Sequence, residues 1–195
     1  LMKYFFILLT FVIIGFGVMY KINYAPVENN YDILQADFGG DFSLESKEPI
    51  KLSDFKGKVV ILYFGFATCP DVCPMSLSYL SKALKKIDNR DEVQVIFVSV
   101  DYKRDTPNKA HNYAKFFNKS FIGATGTKEQ IDKVTSQYKV FYKFIDMPDS
   151  AIKYTVDHTS RFFIIDKKGK ARKMVRSDED QAVIINAIEE VIGES

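Results

Sequence analysis

The most apolar stretch of the chain comes first. Residues 4–20, Y-F-F-I-L-L-T-F-V-I-I-G-F-G-V-M-Y, carry no charge and are bracketed by Lys3 and Lys21. A helix crosses a bilayer with about 20 apolar residues, and about 17 is the lower limit. Tyr4 and Tyr20 stand where interfacial aromatics belong. A cleaved signal peptide would end in a small-residue site of A-x-A type, and F-G-V-M-Y-K-I-N-Y-A-P is a poor one. The pattern predicts an uncleaved anchor at 1–20, a linker at 21–37 and a folded domain at 38–195. Lys3 and Lys21 nearly balance, so charge does not set the orientation. An N-terminal anchor ahead of a long domain usually leaves that domain outside the cytoplasm, on the periplasmic side of a bacterial membrane or in the mitochondrial intermembrane space.

Beyond residue 38 the periodicity changes element by element. Residues 42–44 and 50–52 alternate apolar and polar around a turn-like middle and predict a short hairpin. Residues 58–66, K-V-V-I-L-Y-F-G-F, form a continuous β-branched and aromatic run, the mark of a strand buried on both faces. Leu77, Leu80, Leu84 and Ile87 recur at helical spacing in 74–88, with Pro74 suited to the first turn. Residues 93–100 repeat the buried-strand pattern. Helices are predicted at 106–117 and 128–138, with a short strand at 121–124 between them. Residues 138–145, Y-K-V-F-Y-K-F-I, read as a half-buried strand or an exposed partner surface. Strands follow at 154–156 and 161–166, the second turning at Lys168-Gly169 into 171–175. A terminal helix at 178–192 aligns Ala182, Ile185, Ile188 and Val191 on one face. A strand–helix–strand start predicts a parallel pair inside an α/β sandwich, and the late hairpin adds antiparallel strands. The fold class is α/β, thioredoxin-like, with an N-terminal hairpin and an inserted hairpin, preceded by one transmembrane helix.

Composition excludes several classes. The 17 Phe and 11 Tyr allow a large core and rule out a disordered chain. The net charge of +2 gives no electrostatic footprint for nucleic acid. Two cysteines cannot make a four-cysteine zinc site or a disulfide-stapled scaffold.

Both cysteines lie in F-G-F-A-T-C-P-D-V-C-P, as Cys69 and Cys73, after the first buried strand and before a helix. A thiol at a helix start feels the positive end of the dipole, which favours thiolate. Thiolate is both the nucleophile of disulfide exchange and the form that ligates metal. Three intervening residues let the sulfurs converge as a disulfide or as a ligand pair, and spacing alone leaves an inert disulfide or two buried thiols equally open. Two sulfurs suit a soft ion such as Cu(I), and a third donor makes a more closed site. The chain has two histidines. His111, in K-A-H-N-Y, reads as a solvated helix residue. His158, in V-D-H-T-S-R-F-F-I-I-D, precedes a buried strand and reads either as a third donor or as a capping or surface histidine.

The motif F-G-F-A-T-C-P-D-V-C-P resembles the Sco/SenC family of copper proteins required for cytochrome c oxidase assembly. The likeness extends to G-G-D-F-S-L at 39–44, V-S-V-D at 98–101, R-D-T-P at 104–107 and V-D-H-T at 156–159. It runs from about residue 38 to the C-terminus. Tyr102-Lys103 departs from the Pro-Glu that the family usually shows there. The resemblance implies a thioredoxin-like domain that binds one copper, as Cu(I) or Cu(II), through Cys69, Cys73 and His158. It implies delivery of that copper to cytochrome c oxidase subunit II or another recipient, with a copper donor protein or a thioredoxin-like reductant as further partners. The alternative is a thiol–disulfide oxidoreductase in which Cys69 and Cys73 keep the oxidase's cysteines reduced. The imidazole discriminates, because a metal site needs it and disulfide exchange does not. A peroxidase of the same superfamily, or a purely structural module, explains fewer of these residues.

Asp71 and Asp157 are candidate acceptors for orienting His158, or else turn and loop residues. Met147 is a soft donor in a loop that more naturally packs than ligates. Residues 167–176, K-K-G-K-A-R-K-M-V-R, hold six cations in ten residues, either a solvated hairpin tip or a docking surface for an acidic partner or anionic lipid.

Overall fold

The computed structural model describes residues 38–194. The predicted anchor at 1–20 and the linker at 21–37 lie outside the described residues. Among those described, no helix is long and apolar enough to cross a membrane.

The domain begins with a small antiparallel hairpin, β1 (Ser43–Leu44) and β2 (Ile50–Lys51), as its alternation predicts. The next strand, β3 (Val59–Gly65), is buried at every residue. It can be so because both its edges and both its faces are covered. It pairs in parallel with β4 (Val93–Ser99), which pairs in parallel with β5 (Ile122–Ala124). After β5 the chain leaves the sheet to form a separate antiparallel ribbon, β6 (Tyr142–Asp146) with β7 (Tyr154–His158). It returns as β8 (Arg161–Ile165) and β9 (Ala171–Arg176), which complete a five-stranded sheet in the order β5-β4-β3-β8-β9. β8 runs antiparallel to both β3 and β9.

Four helices connect and cover these strands: α1 (Val72–Leu84), α2 (Pro107–Phe117), α3 (Lys128–Gln137) and α4 (Gln181–Gly193). Thr106 and Thr127 cap α2 and α3, each side chain accepting a backbone N–H from the first turn. Side chains on β3 divide between two faces. Tyr63 and Gly65 face α1, and the Tyr63 ring neighbours Phe97, which meets Tyr113 of α2. On the opposite face Phe64 meets Phe163 edge-on, and both rings meet Tyr138 at the end of α3. α4 lies beside α1. This three-layer arrangement is thioredoxin-like, with the β6–β7 ribbon as its insertion.

Three expectations shift. The first long helix starts at Val72 rather than 74, so Pro74 sits inside its first turn, and Ile87 is buried just beyond its end. The terminal helix starts at Gln181, because Asp180 caps it and Asp178 is held by Arg176 instead. Its buried face is Ile184, Ala187, Ile188 and Val191, while Ala182 is exposed. The run at 138–145 divides: Tyr138 and Val140 are buried in the core, and β6 from Tyr142 is half-buried.

Candidate metal centre

The cysteine loop joins β3 to α1. Its turn is closed by the Cys69 N–H donating to the Phe66 carbonyl at 3.2 Å. Asp71 occupies the N-cap of α1, but its side chain makes no capping bond. The sulfur of Cys69 takes that place and accepts the Cys73 N–H at 3.4 Å. A thiolate there gains from the N–H groups of residues 71, 72 and 73 and from the S–H of Cys73. The Cys73 bond is the largest effect, burial opposes it, and the Cys69 thiol is lowered to about 6. Cys73 is wholly buried. Its thiol is pushed up, first by donating its proton to Cys69 and then by burial. The pair is thus polarised into one half-exposed thiolate and one enclosed thiol, with no disulfide between them.

Room for the second sulfur comes from Gly65. A Cβ at that position would stand 2.9 Å from Cys73 Sγ and 3.0 Å from the Phe97 ring. The first is closer than real Cβ atoms come and the second is tighter than most, so a side chain there would force the sulfur to shift.

His158 ends β7 and arrives from the inserted ribbon, 85 residues from Cys73. Its Nε2 lies 3.4 Å from Cys73 Sγ. Its Nδ1 lies 3.2 Å from the Thr159 carbonyl, which can only accept, so Nδ1 carries the proton and Nε2 is left with its lone pair towards the sulfur. Burial lowers its pKa, which keeps the ring neutral. Tyr63 and Phe66 hold it edge-on, with centroids at 6.4 and 5.9 Å. Neither Asp71 nor Asp157 orients the ring. Both are exposed, and the Thr159 carbonyl does that work. The three donors meet pairwise around Cys73. Among the described residues no group of three His, Cys, Asp or Glu already encloses a common point.

The remaining candidates stand elsewhere. His111 is partly buried rather than solvated, its Nδ1 3.2 Å from Ser46 Oγ. Met147 follows β6 at the end of the ribbon away from His158, since Tyr142 is the residue paired with His158. The basic run is the β8–β9 turn, with Gly169 at φ 86°. Lys167 pairs with Glu92, Arg172 with Glu194, Lys173 with Glu190 and Arg176 with Asp178, so most of its charge is met within the chain.

Two acidic residues that the sequence does not single out, Asp101 and Asp105, are buried supports. Asp105 accepts the Ala67 N–H at 2.7 Å and the Ser99 hydroxyl at 2.6 Å, which pins the cysteine loop to the end of β4. Asp101, fully buried, accepts the Tyr154 hydroxyl at 2.8 Å and pairs with Arg104. The signal was present as carboxylates at the end of an apolar strand, in the V-S-V-D and R-D-T-P segments.

The fold and site define a class: a thioredoxin-like protein whose dithiol is paired with an imidazole from an inserted ribbon, a donor set suited to a soft metal ion. The family model described as SCO1/SenC matches residues 31–193. A SCO2-like protein of Rickettsia felis is 35% identical over 173 residues, covering 83% of this chain and 84% of that protein. Among solved structures, Arabidopsis thaliana ScoI with copper bound is similar at TM-score 0.75 and 33% identity, over 81% of this chain and 99% of that one. The apo Sco1 protein of Thermus thermophilus is similar at TM-score 0.72 and 37% identity, over 85% and 96%. The chain belongs to the SCO1/SenC family.

Proposed function

We propose that this protein is a membrane-anchored copper carrier, with its domain outside the cytoplasm, that binds one copper ion through Cys69, Cys73 and His158. It passes the ion to the binuclear copper site of cytochrome c oxidase subunit II. The observation that carries the reading is the 3.4 Å approach of His158 Nε2 to Cys73 Sγ across 85 residues of sequence. Two thiolates and a neutral imidazole satisfy Cu(I), and a relative in the family has been crystallised with copper bound. Cys69 is poised as a thiolate, so copper displaces one proton, that of Cys73. A cleft of about 800 Å³ lies beside the first turn of α1, lined by Val72, Met75 and Ser76 and by Thr159, the chain neighbours of Cys73 and His158.

The test is Cu(I) binding by the reduced full chain in detergent, without oxygen, against a competing chelator. One tightly held Cu(I) per chain, weakened at least tenfold by Cys73→Ser and by His158→Ala, is the expected result. Binding that ignores His158→Ala would sink the three-donor site.

The half-exposed Cys69 thiolate favours a second reading, thiol–disulfide exchange. Cys69 attacks a partner disulfide and releases one partner thiolate. Cys73 then displaces the second, leaving a Cys69–Cys73 disulfide for a thioredoxin-like reductant to reopen. That chemistry proceeds without His158.

A further inference from the structure

The ribbon that delivers His158 shares no ladder with the five-stranded sheet. A two-stranded hairpin is marginally stable alone, so its placement depends on what ties it down. The Tyr142 hydroxyl of β6 donates to Asp132 of α3, and a second tie is the segment between β4 and α2. Arg104 Nη1 donates to the carbonyls of Ile152 and Tyr154, at 3.1 and 3.0 Å, where the chain enters β7. Its Nε pairs with buried Asp101. Its guanidinium lies 3.7 Å over the Tyr154 ring, whose hydroxyl returns to the same Asp101. The neighbouring Asp105 holds the cysteine loop through Ala67. Adjacent residues of one short segment therefore grip the element bearing the thiols and the element bearing the imidazole.

We propose that Arg104 is a positioning residue for His158: by clamping the start of β7 to Asp101 it sets where the imidazole stands relative to Cys69 and Cys73. Four steps along the strand separate Tyr154 from His158, about 13 Å at the usual rise. Paired with β6 along that length, the strand transmits its anchorage to its far end. The planar fork suits the task, because it spans two carbonyls and a carboxylate at once, as an ammonium cannot. The inference rests on the copper reading above.

The test is a double-variant cycle on the reduced full chain in detergent, with Cu(I) affinity read against a chelator in wild type, Arg104→Gln, His158→Ala and the combined variant. Arg104→Gln is expected to weaken Cu(I) binding at least tenfold. It should change it less than twofold when His158 is already Ala. The alkylation rate of Cys69 in copper-free Arg104→Gln should stay within twofold of wild type. Equal losses in both backgrounds would overturn the proposal, since Arg104 would then act on the thiols or on the whole fold. An unchanged affinity in Arg104→Gln would overturn it as well. If Arg104→Gln loses its circular dichroism signature, Arg104→Lys replaces it in the same cycle, with the same non-additivity expected. Should His158→Ala alone leave Cu(I) affinity untouched, the three-donor site itself fails, and that result is distinct from a failure of Arg104 alone.

Discussion

Removing the Cys73 sulfur should change Cys69 in a way that a single-pH rate assay would miss. The largest effect lowering the Cys69 thiol is the hydrogen bond from Cys73, with the backbone N–H groups at the start of α1 contributing less. With the thiol at about 6, about nine-tenths of Cys69 is thiolate at pH 7, against about 3% for an ordinary thiol near 8.5. That is a gain of about 30-fold in the reactive form. The more acidic thiolate is also a weaker nucleophile. With a Brønsted slope of about 0.45, a fall of about 2.5 in pKa costs about 13-fold in intrinsic reactivity. The net gain at pH 7 is only about twofold, so the informative quantity is the midpoint of the pH profile. Iodoacetamide alkylation of Cys69, followed by mass spectrometry from pH 4 to pH 10, should titrate near 6 in wild type. In Cys73→Ala the midpoint should move up towards the ordinary thiol value. The N–H groups of α1 and the burial of Cys69 both remain, and they act in opposite directions. A wild-type midpoint near 8.5, or one that stays near 6 in Cys73→Ala, would refute the account of how the pair is polarised.

Other perturbations follow from the same geometry. Gly65→Ala places a carbon against Cys73 Sγ and the Phe97 ring. It should cost about 1–3 kcal/mol in urea unfolding and weaken Cu(I) binding; a variant with wild-type values in both would show that the sulfur has slack. Asp105→Ala leaves the Ala67 N–H and the Ser99 hydroxyl without their acceptor, an expected loss of about 2–4 kcal/mol, with Asp105→Asn losing less, read from denaturant midpoints. His158 has its pKa depressed by burial, so its folded value lies below its unfolded one. Its contribution to stability is therefore complete above the ordinary imidazole value of about 6.5 and is lost as pH falls through the folded value. The copper-free protein should lose stability on acidification in that window, and His158→Gln should flatten the loss in thermal melts taken at several pH values.

How much of this the sequence reveals depends on whether a residue's partners are local. β3 and β4 were legible because continuous apolar runs such as V-V-I-L-Y-F have no stable place except a sheet covered on both faces. The cysteine pair was legible because its chemistry depends on a helix start a few residues away. The third donor needed the resemblance, since nothing near His158 in sequence states that a ribbon will carry it to Cys73. Asp101 and Asp105 were opaque for a related reason. Carboxylates after a strand look like solvated loop, and the partners that make their burial tolerable include the distant Tyr154 hydroxyl and Ala67 N–H beside the nearer Ser99, Arg104 and Lys109. The face of α4 was misjudged because Ala182, Ile185, Ile188 and Val191 and the set actually buried both satisfy a helical period. What decides between them is how α4 lies against α1, which periodicity does not encode.

The separation of the β6–β7 ribbon from the main sheet has a thermodynamic consequence. The seat of the two sulfurs is built into the element whose loss would unfold the domain, whereas the imidazole rides on one that can detach more cheaply. Two opening free energies therefore coexist in one chain. Hydrogen exchange should report them as early release of the β7 amides against late release of β3. Between those two thresholds the domain retains a folded dithiol without the imidazole proposed as its third donor. On the two readings proposed above, the balance between copper exchange and sulfur exchange becomes a matter of populations, governed by how firmly a single ribbon is latched.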